Sequence, residues 1–358
     1  MRFCFVLTDL SGGGAEKAVI NISRELVNRG HAVDIVLFRN LVKYEIHPSI
    51  GLTIISNNPS FGWFGKRILA FSLFKTIKKL EKIKVFDAIV STLPLADEIA
   101  VIAKLPNLWC RIANTLSIEI EVLSQVNSRK SQRRLKRYQN IYRNKNLIAV
   151  SAGVKSDLEE KVYIKAKEIR VIYNPFNFES IRRESTRKLD IPYPTYIIHV
   201  GRFSSQKRHD VLLDAYRKIH NSHSLVLLTD KHPKLIEMIQ KRGLSDKVVI
   251  TGFQSNPYPW ILNAELLVLS SEREGMPNVL IESLIIGTSV VSTDCPSGPR
   301  EVLGSKFPQF LSPVNDSESL SKNIDKALDS KVDMKSVDLN QFHLKNSIDN
   351  YEFLVRRI

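Results

Sequence analysis

The feature that most constrains the fold is a regular alternation of short apolar runs with amphipathic segments between residues 196 and 330. The apolar runs have the length of buried strands, and the intervening segments carry apolar residues at helical spacing. Strands that alternate with helices predict a parallel sheet, whose ligand crevice lies at the carboxyl ends of the strands. The predicted strands are residues 196–200, 224–228, 248–251, 266–270 and 289–293, and the predicted helices are residues 210–220, 234–242, 258–264, 277–286 and 317–329.

The first half of the chain opens with a similar pattern. A strand over residues 3–7, a glycine-rich loop and a helix that ends at Gly30 lead to a second strand over residues 32–38, which together make one βαβ unit. Further strands are predicted at residues 86–92, 108–114, 147–150 and 170–173. We therefore expect an α/β protein with two doubly wound, Rossmann-like domains that face each other across a cleft.

The length of 358 residues also favours two domains, because a single core of that size is uncommon. The first domain is predicted over residues 1–177, since Asn174 and Pro175 follow its last strand. Charged residues and prolines between 178 and 193 are interpreted as the connection to the second domain, which extends over residues 178–343. Residues 344–358 are predicted as a C-terminal helix that packs back on the first domain.

Composition and charge narrow the class of protein. The three cysteines are far apart and have no metal-ligand spacing, which fits a reducing compartment. No apolar run approaches the roughly 18 residues needed to span a bilayer, so we expect a cytoplasmic protein. Residues 1–178 contain 28 Lys and Arg against 15 Asp and Glu, whereas residues 179–358 contain 24 against 22. The first half is therefore the basic half, and nucleic acid or an anionic membrane could each be its partner.

Two basic segments of the first half favour the membrane. Residues 61–84 combine Trp63, Phe64 and other aromatic side chains with seven Lys and Arg, a pattern typical of a helix that lies on an anionic membrane. A second basic run starts at Arg129 and continues within residues 129–145. Each segment could instead be a core-packing helix with a solvated basic face. A nucleic-acid-binding protein is the less favoured alternative, because the sequence has no recognised binding motif and no regular aromatic platform.

Two carboxylates, Glu274 and Glu282, frame the entry into one predicted helix of the second half. Pro277 suits the first position of this helix, and Gly287 suits the residue just past its end. Glu282 is the only charge on a helix that is apolar nearly all round, so it needs a hydrogen-bonding partner or a ligand. The amides at the helix start, next to Gly275, offer an anion site beside Glu274. Alternatively, Glu282 caps neighbouring backbone and Glu274 is a solvated loop charge.

Two further motifs follow predicted strands of the second half. Gly201, Arg202 and Lys207 lie in the loop after strand 196–200, where a guanidinium and an ammonium group suit a diphosphate. A rigid turn, Asp294-Cys-Pro-Ser-Gly-Pro-Arg-Glu301, follows strand 289–293. These loops leave equivalent strand ends, so we expect them to converge with Glu274 on one crevice. The glycine loop at Gly12–Gly14 is a weaker signal, because Lys17 occupies the position where a dinucleotide fingerprint needs glycine.

Together these motifs resemble the retaining glycosyltransferases of family 4, which have the two-domain GT-B architecture. The resemblance covers nearly the whole chain, and the turn after residue 293 is most similar to that of bacterial surface-polysaccharide enzymes that handle galactose-type or N-acetylhexosamine donors. It rests on Gly-Gly-Ala-Glu16, Val150-Ser-Ala-Gly-Val154, Val171-Ile-Tyr-Asn-Pro175, Gly201-Arg-Phe with Lys207, Glu274 with Glu282, and Gly298-Pro-Arg-Glu301.

The resemblance implies an activity and a set of roles. The enzyme would move a sugar from a UDP-sugar to a lipid-diphosphate-linked saccharide acceptor, with retention of configuration, no enzymic nucleophile and no metal or other cofactor. It would act on the inner face of the cytoplasmic membrane, in the synthesis of O-antigen, capsule or a related glycan. Among the implied catalytic residues, Arg202 and Lys207 would bind the diphosphate and Glu274 would bind hydroxyls of the transferred sugar.

The remaining implied roles concern donor and acceptor binding. Glu282 would accept hydrogen bonds from the ribose. The other donor-binding residues would be Gly13, Gly14, Gly201, Gly275, Met276, Pro277 and Asn278. The chain departs from the family after residue 112, where Asn114 or Thr115 replaces a frequent histidine. These two residues and Glu301 would lie on the acceptor or sugar side. Leu228-Thr-Asp-Lys231 also replaces the usual Gly-Asp-Gly. A sugar-nucleotide epimerase of the same architecture is the alternative activity.

Overall fold

The computed structural model describes residues 1–220 and 222–355. They form two compact units, and the chain passes from the first to the second and back again. The first unit comprises Met1–Pro175 and the segment that starts at Leu344, and the second comprises Phe176–His343.

The first unit is built on a parallel sheet of seven strands. The strand order is β3-β2-β1-β4-β5-β6-β7, so the direction of winding reverses between β1 and β4. Strands β1 and β4 are fully buried, as expected for strands covered on both faces. The strands are β1 Arg2–Leu7, β2 Ala32–Arg39, β3 Ile50–Ser56, β4 Ala88–Thr92, β5 Leu108–Ile112, β6 Asn146–Ala149 and β7 Glu168–Val171.

Helices cover this sheet, and the last of them comes from the far end of the sequence. The buried side chains of α1 include Val19, Ile22 and Leu26, which recur at helical spacing. Ile348 and Tyr351 of α14 are fully buried in the same core. The helices are α1 Gly14–Asn28, α2 Trp63–Leu80, α3 Pro94–Ile102, α4 Leu116–Val126, α5 Ser128–Tyr142, α6 Ala152–Ser156 and α14 Leu344–Phe353, and a π-helical turn spans Asp157–Lys161.

The second unit is built on a parallel sheet of six strands in the order β10-β9-β8-β11-β12-β13. Its winding reverses between β8 and β11. The strands are β8 Tyr196–Val200, β9 Ser224–Leu228, β10 Val248–Ile250, β11 Leu266–Leu269, β12 Val290–Thr293 and β13 Leu311–Ser312. The helices are α7 Phe178–Ser185, α8 His209–Tyr216, α9 Pro233–Gln240, α10 Tyr258–Leu262, α11 Asn278–Ile286, α12 Pro299–Leu303 and α13 Ser317–Ser330.

The structure differs from the sequence prediction in several places. The segment predicted as the connection begins with α7, because Asn177 caps the amide of Ser180 at 2.9 Å and Ile181 is buried. Strand β3 was not predicted. Helix α11 begins at Asn278, so Pro277 is the residue before the helix and not its first residue.

In open parallel sheets, ligands bind outside the carboxyl ends of the strands where the winding reverses. In the second unit these are the ends of β8 and β11. Arg202 and Lys207 follow β8, and Glu274 follows β11. Three residues that the sequence selects on chemical grounds therefore lie at the topological switch point of their sheet.

Candidate active site

The loops after β8 and β11 are joined by hydrogen bonds. The Gln206 side-chain amide donates to the Arg273 carbonyl at 2.9 Å, and the Glu272 amide donates to the Gln206 carbonyl at 2.8 Å. Ser270 Oγ donates to the Lys207 carbonyl at 2.8 Å. These contacts hold the two loops in a fixed register, which is the condition for placing charged groups accurately around a ligand.

An ion pair between Lys207 and Glu274 lies at the centre of this arrangement. The distance from Lys207 Nζ to Glu274 Oε1 is 2.6 Å, and the two side chains are 19% and 8% exposed. A pair with so little solvent around it is weakly screened, so removing one partner leaves a poorly solvated charge. The Lys207 ammonium has three N–H donors, and Glu274 Oε1 accepts one of them.

Gly201 and Arg202 flank this pair differently. A Cβ atom on Gly201 would lie 3.2 Å from Lys207 Cε, so the glycine leaves the space that the lysine side chain occupies. Arg202 is exposed, and its side chain has no hydrogen bond or ion pair with the residues that the structure describes. Its guanidinium is available to a ligand without breaking an existing contact.

Two buried histidines lie beneath the loop after β8. His199 Nδ1 is 2.9 Å from the Val268 carbonyl, and its ring packs edge-on against His209 at 4.8 Å. Burial lowers the pKa of both imidazoles, and the nearby Lys207 ammonium lowers each further; the pKa of His209 falls to about 4. Both rings are therefore neutral near pH 7, and they add no positive charge next to Lys207.

The turn after β12 closes the third side of the site. Glu274 donates its amide to the Pro296 carbonyl at 3.2 Å. Gly298 has a φ of +104°, and a Cβ atom there would overlap Cδ of Pro277 and lie 3.2 Å from its Cγ. The glycine is thus required both by its backbone conformation and by the close approach of the residue before α11. Glu301 is half-buried in the first turn of α12.

The start of α11 is more enclosed than the sequence suggests. Gly275, Met276 and Pro277 are buried. The Asn278 amide donates to the Met276 carbonyl at 3.0 Å, and the Leu280 amide donates to the Pro277 carbonyl at 3.0 Å. Because internal carbonyls already accept from these two amides, the helix start offers fewer donors to an anion than an open helix terminus does.

Glu282 lies one turn further along α11 and is 6% exposed. Its Oε1 accepts a hydrogen bond from the Tyr258 hydroxyl at 3.0 Å. Tyr258 was not selected from the sequence, since it precedes Glu282 by 24 residues and belongs to no recognisable motif. The phenol holds the carboxylate in one orientation, which suits a group that accepts hydrogen bonds from a ligand.

In the first unit, Gly13 and Gly14 form the start of α1. Gly13 caps the helix, and its carbonyl accepts a hydrogen bond from the Tyr44 hydroxyl at 3.0 Å. The buried Glu16 carboxylate folds back over Gly13, so closely that a Cβ atom on Gly13 would overlap Glu16 Oε2. The helix start therefore carries a negative charge of its own, which favours a neutral hydroxyl over a phosphate at this position.

Asn114 and Thr115 lie after β5 at the start of α4. Thr115 is 1% exposed, and its amide donates to Asn114 Oδ1 at 3.0 Å. Asp157 caps the helix, since its Oδ2 accepts from the amides of Leu116 and Ser117 at 2.9 and 3.2 Å. Burial raises the pKa of Asp157. No sequence signal pointed to this capping residue, which is 41 positions from Leu116.

Two family models match consecutive parts of the chain. The model for Glycosyltransferase Family 4 matches residues 12–180, and the model for Glycosyl transferases group 1 matches residues 181–341. The chain belongs to the family 4 glycosyltransferases. This confirms the resemblance drawn from the sequence motifs and identifies the two units as the paired Rossmann-like domains of the GT-B fold.

Relatives of this glycosyltransferase include bacterial enzymes that act on lipopolysaccharide and on diphospho-undecaprenol-linked saccharide. It is 27% identical over 323 residues to the Campylobacter jejuni N-acetylgalactosamine-N,N'-diacetylbacillosaminyl-diphospho-undecaprenol 4-alpha-N-acetylgalactosaminyltransferase, covering 88% of this chain and 87% of the relative. It is 29% identical over 164 residues to the Salmonella typhimurium lipopolysaccharide 1,6-galactosyltransferase, covering 44% of this chain and 45% of the relative.

A solved structure shares the fold over the whole length. Anabaena HepE in complex with UDP and glucose superposes with a TM-score of 0.77 at 20% sequence identity, covering 99% of this chain and 98% of HepE.

Proposed function

We propose that this glycosyltransferase moves a sugar from a UDP-sugar to a lipid-diphosphate-linked saccharide, with retention of anomeric configuration and without a metal, in the synthesis of a bacterial surface glycan. The observation that carries the proposal is the Lys207–Glu274 pair at the switch point of the second sheet. It puts a cation for a diphosphate directly beside a carboxylate for sugar hydroxyls. The relatives support an N-acetylhexosamine or galactose-type sugar, because the names of two of them specify such transfers.

In this proposal the acceptor hydroxyl attacks the anomeric carbon as the bond from that carbon to the diphosphate breaks, on the same face. The acceptor proton passes to a phosphate oxygen of the departing UDP. Lys207 has two N–H donors beyond the one that Glu274 accepts, and the exposed Arg202 supplies a guanidinium. Both offset the negative charge that develops on the leaving group.

The same geometry supports the remaining proposed donor contacts. Glu282, oriented by Tyr258, accepts from the ribose hydroxyls. Gly275, Met276, Pro277 and Asn278 form the wall beside the diphosphate, as donor-binding residues that shape the site more than they donate to it. The first unit binds the acceptor, and Asn114 and Thr115 are the proposed contacts on that side.

The test is a donor panel. The purified protein is mixed with UDP-GalNAc, UDP-GlcNAc, UDP-galactose or UDP-glucose and a polyprenyl-diphosphate-linked saccharide, with and without EDTA. We expect UDP release with one N-acetylhexosamine or galactose-type donor, an axial product linkage by NMR, and no loss of rate with EDTA. An inverted product overturns the mechanism, a rate abolished by EDTA overturns the metal independence, and epimerised donor in the absence of acceptor favours the alternative activity.

We further propose that the first unit binds an anionic membrane through residues 61–84 and 129–145. The apolar side chains on the outer face of α2 are unusually exposed: Trp63 62%, Phe64 74%, Ile68 66% and Phe71 59%. Cations lie directly against two of these rings, Arg67 at 4.1 Å from Trp63 and Lys75 at 4.4 Å from Phe71. An apolar edge bordered by cations fits the headgroup region of an anionic bilayer.

Glu98 of α3 joins the two segments into one surface. Its Oε2 pairs with Lys66 of α2 at 2.7 Å and with Arg137 of α5. The exposed cations of α5, namely Arg129, Lys130, Arg133 and Lys136, have no ion-pair partner among the described residues. Helices α2 and α5 are therefore held on the same side of the sheet, and both can meet one surface. Within the described ranges, no helix is sufficiently long and apolar to cross a bilayer.

Vesicle sedimentation tests this surface separately from catalysis. Replacing Phe64, Ile68 and Phe71 by Ala is expected to weaken binding to phosphatidylglycerol vesicles at least about tenfold, since each side chain loses apolar burial. Tyr163→Ala is the matched control, because Tyr163 is equally exposed at 69% but lies outside both segments. Equal binding of the triple variant and the control contradicts the proposal, whatever the outcome of the donor panel.

A further inference from the structure

The first unit has a cavity of about 170 Å³ next to the N-terminal ends of strands β5 and β6. Asn114 and Thr115 lie at the opposite end of the sheet, because they follow the C-terminal end of β5. The residues that line it are Val101, Lys104, Leu105, Leu108, Asn144, Lys145, Asn146 and Lys167.

The charged side chains that line the cavity are all lysines. Lys104, Lys145 and Lys167 come from three separate segments of the chain, and no aspartate or glutamate of the described ranges lines the cavity with them. None of the three ammonium groups has an ion-pair partner among residues 1–220 and 222–355.

Two of these lysines are direct neighbours across the sheet. The Lys167 amide donates to the Lys145 carbonyl at 2.9 Å, and the next residues, Asn146 and Glu168, are paired between β6 and β7. Like charges at adjacent positions of neighbouring strands repel each other and destabilise the sheet. The backbone places the two residues side by side, and an anion that both ammonium groups contact would offset their repulsion.

Asn146, which lines the cavity, also carries a side-chain acceptor. The side-chain oxygen of Asn146 is buried and has no hydrogen-bond partner among the described residues. A buried acceptor without a donor is costly, which points to a ligand that supplies an O–H group. Val101, Leu105 and Leu108 form apolar walls, and these strengthen the attraction between the lysines and an anion by lowering the local dielectric.

We propose that this cavity binds a phosphate group that carries a neighbouring hydroxyl. The three lysines hold the phosphate oxygens, and Asn146 Oδ1 accepts from the hydroxyl. A small polyol phosphate and the headgroup of a glycerophospholipid share this chemistry. The site is distinct from the proposed donor and acceptor residues, which follow the carboxyl ends of the strands, so it does not depend on the proposed activity.

The experiment compares Lys145→Gln and Lys167→Gln with Lys165→Gln, a control in which an exposed lysine of the same segment lies outside the cavity. Thermal unfolding is measured in low-salt buffer with and without inorganic phosphate or glycerol 3-phosphate, in the absence of UDP. Without ligand, we expect the two cavity variants to melt at or above the wild-type temperature, because the repulsion is removed. Glycerol 3-phosphate should stabilise wild type and the control, and should bind each cavity variant at least about tenfold more weakly.

Vesicles distinguish the source of the phosphate. If glycerol 3-phosphate displaces the protein from phosphatidylglycerol vesicles, and this effect is lost in Lys167→Gln, which lies outside residues 61–84 and 129–145, the ligand is a lipid headgroup. If it stabilises the protein without affecting vesicle binding, the ligand is a free polyol phosphate. The proposal is overturned if no phosphate compound stabilises wild type, or if the cavity variants respond as the control does.

Discussion

Two glycines, one that ends α11 and one that packs against the residue before it, allow the geometry of the donor site to be tested with a pair of variants. Gly287, at the end of α11, has a φ of +103°, and Gly298, in the turn after β12, has a φ of +104°. Alanine at Gly287 incurs the cost of left-handed backbone, which is about 1–2 kcal/mol. At Gly298 the ψ of −58° lies outside the left-handed α region, so the backbone cost of alanine there is at least as large. At Gly287 a Cβ atom would meet nothing within 4 Å, whereas at Gly298 it would overlap the ring of Pro277.

The overlap at Gly298 adds a second cost. Pro277 is a rigid ring, and restoring normal contact requires a displacement of more than about 1 Å, since carbon atoms pack at roughly 3.5–4.0 Å. Overpacking of this kind costs about 1–3 kcal/mol in stability. A displacement of about 1 Å at a donor-binding residue can lower kcat/KM by about 100-fold. Gly298→Ala is therefore expected to be less stable than Gly287→Ala and, unlike it, to bind UDP weakly.

Urea unfolding and calorimetric titration with UDP measure the two effects separately. Gly287→Ala should lose about 1–2 kcal/mol of stability and retain wild-type affinity for UDP. Should both variants lose the same stability and keep the same UDP affinity, the close approach of Pro277 to Gly298 would have no part in shaping the site.

Three further predictions concern single side chains of the second unit. Glu274→Gln should lower kcat about 100-fold and leave the affinity for UDP nearly unchanged, because a neutral amide cannot form an ion pair with Lys207 or stabilise charge on the sugar. Steady-state kinetics test this prediction, and an effect on KM alone would contradict it. Glu282→Ala should weaken UDP binding about 10–100-fold by removing a charged acceptor, and titration with UDP gives the answer; an unchanged affinity would remove Glu282 from the ribose site. His209 has a pKa lowered from 6.5 to about 4, so stability present above pH 6.5 is lost as the pH falls toward 4, by about 2 kcal/mol at pH 5. Urea midpoints at pH 7 and pH 5 should show this loss in wild type and a smaller one in His209→Phe; equal losses would show that another group titrates.

The sequence was most informative where a segment is buried on both faces. Strands β8 and β9 were predicted with their observed ends, because a short apolar run can only be accommodated inside a covered parallel sheet. Strand β3 was missed for the converse reason. It is an edge strand in which Gly51 and Leu52 are exposed, so it lacks the continuous apolar character of a buried strand.

The candidate site likewise contains residues that the local sequence indicates and others that only tertiary packing brings in. Lys207 and Glu274 could be selected because each follows a predicted strand, and the topology brings such loops together. The partner of Glu282 could not, since the Tyr258 hydroxyl reaches it through tertiary packing and not through a local motif. Likewise, nothing near the start of α4 indicates that Asp157 caps it. Sequence spacing predicts which loops meet, but not which side chains complete their hydrogen bonds.

The discontinuity of the first unit has a consequence for biosynthesis. Ile348 and Tyr351 belong to the core that also contains Phe5 and Trp109, yet the ribosome makes them only after the whole second unit. The nascent first unit therefore exposes an apolar face for as long as the intervening 168 residues of Phe176–His343 are being translated. Contacts of such large sequence separation form late, and the incomplete unit is a substrate for chaperones during that interval. The second unit, which is continuous in sequence, can complete its own core before the first.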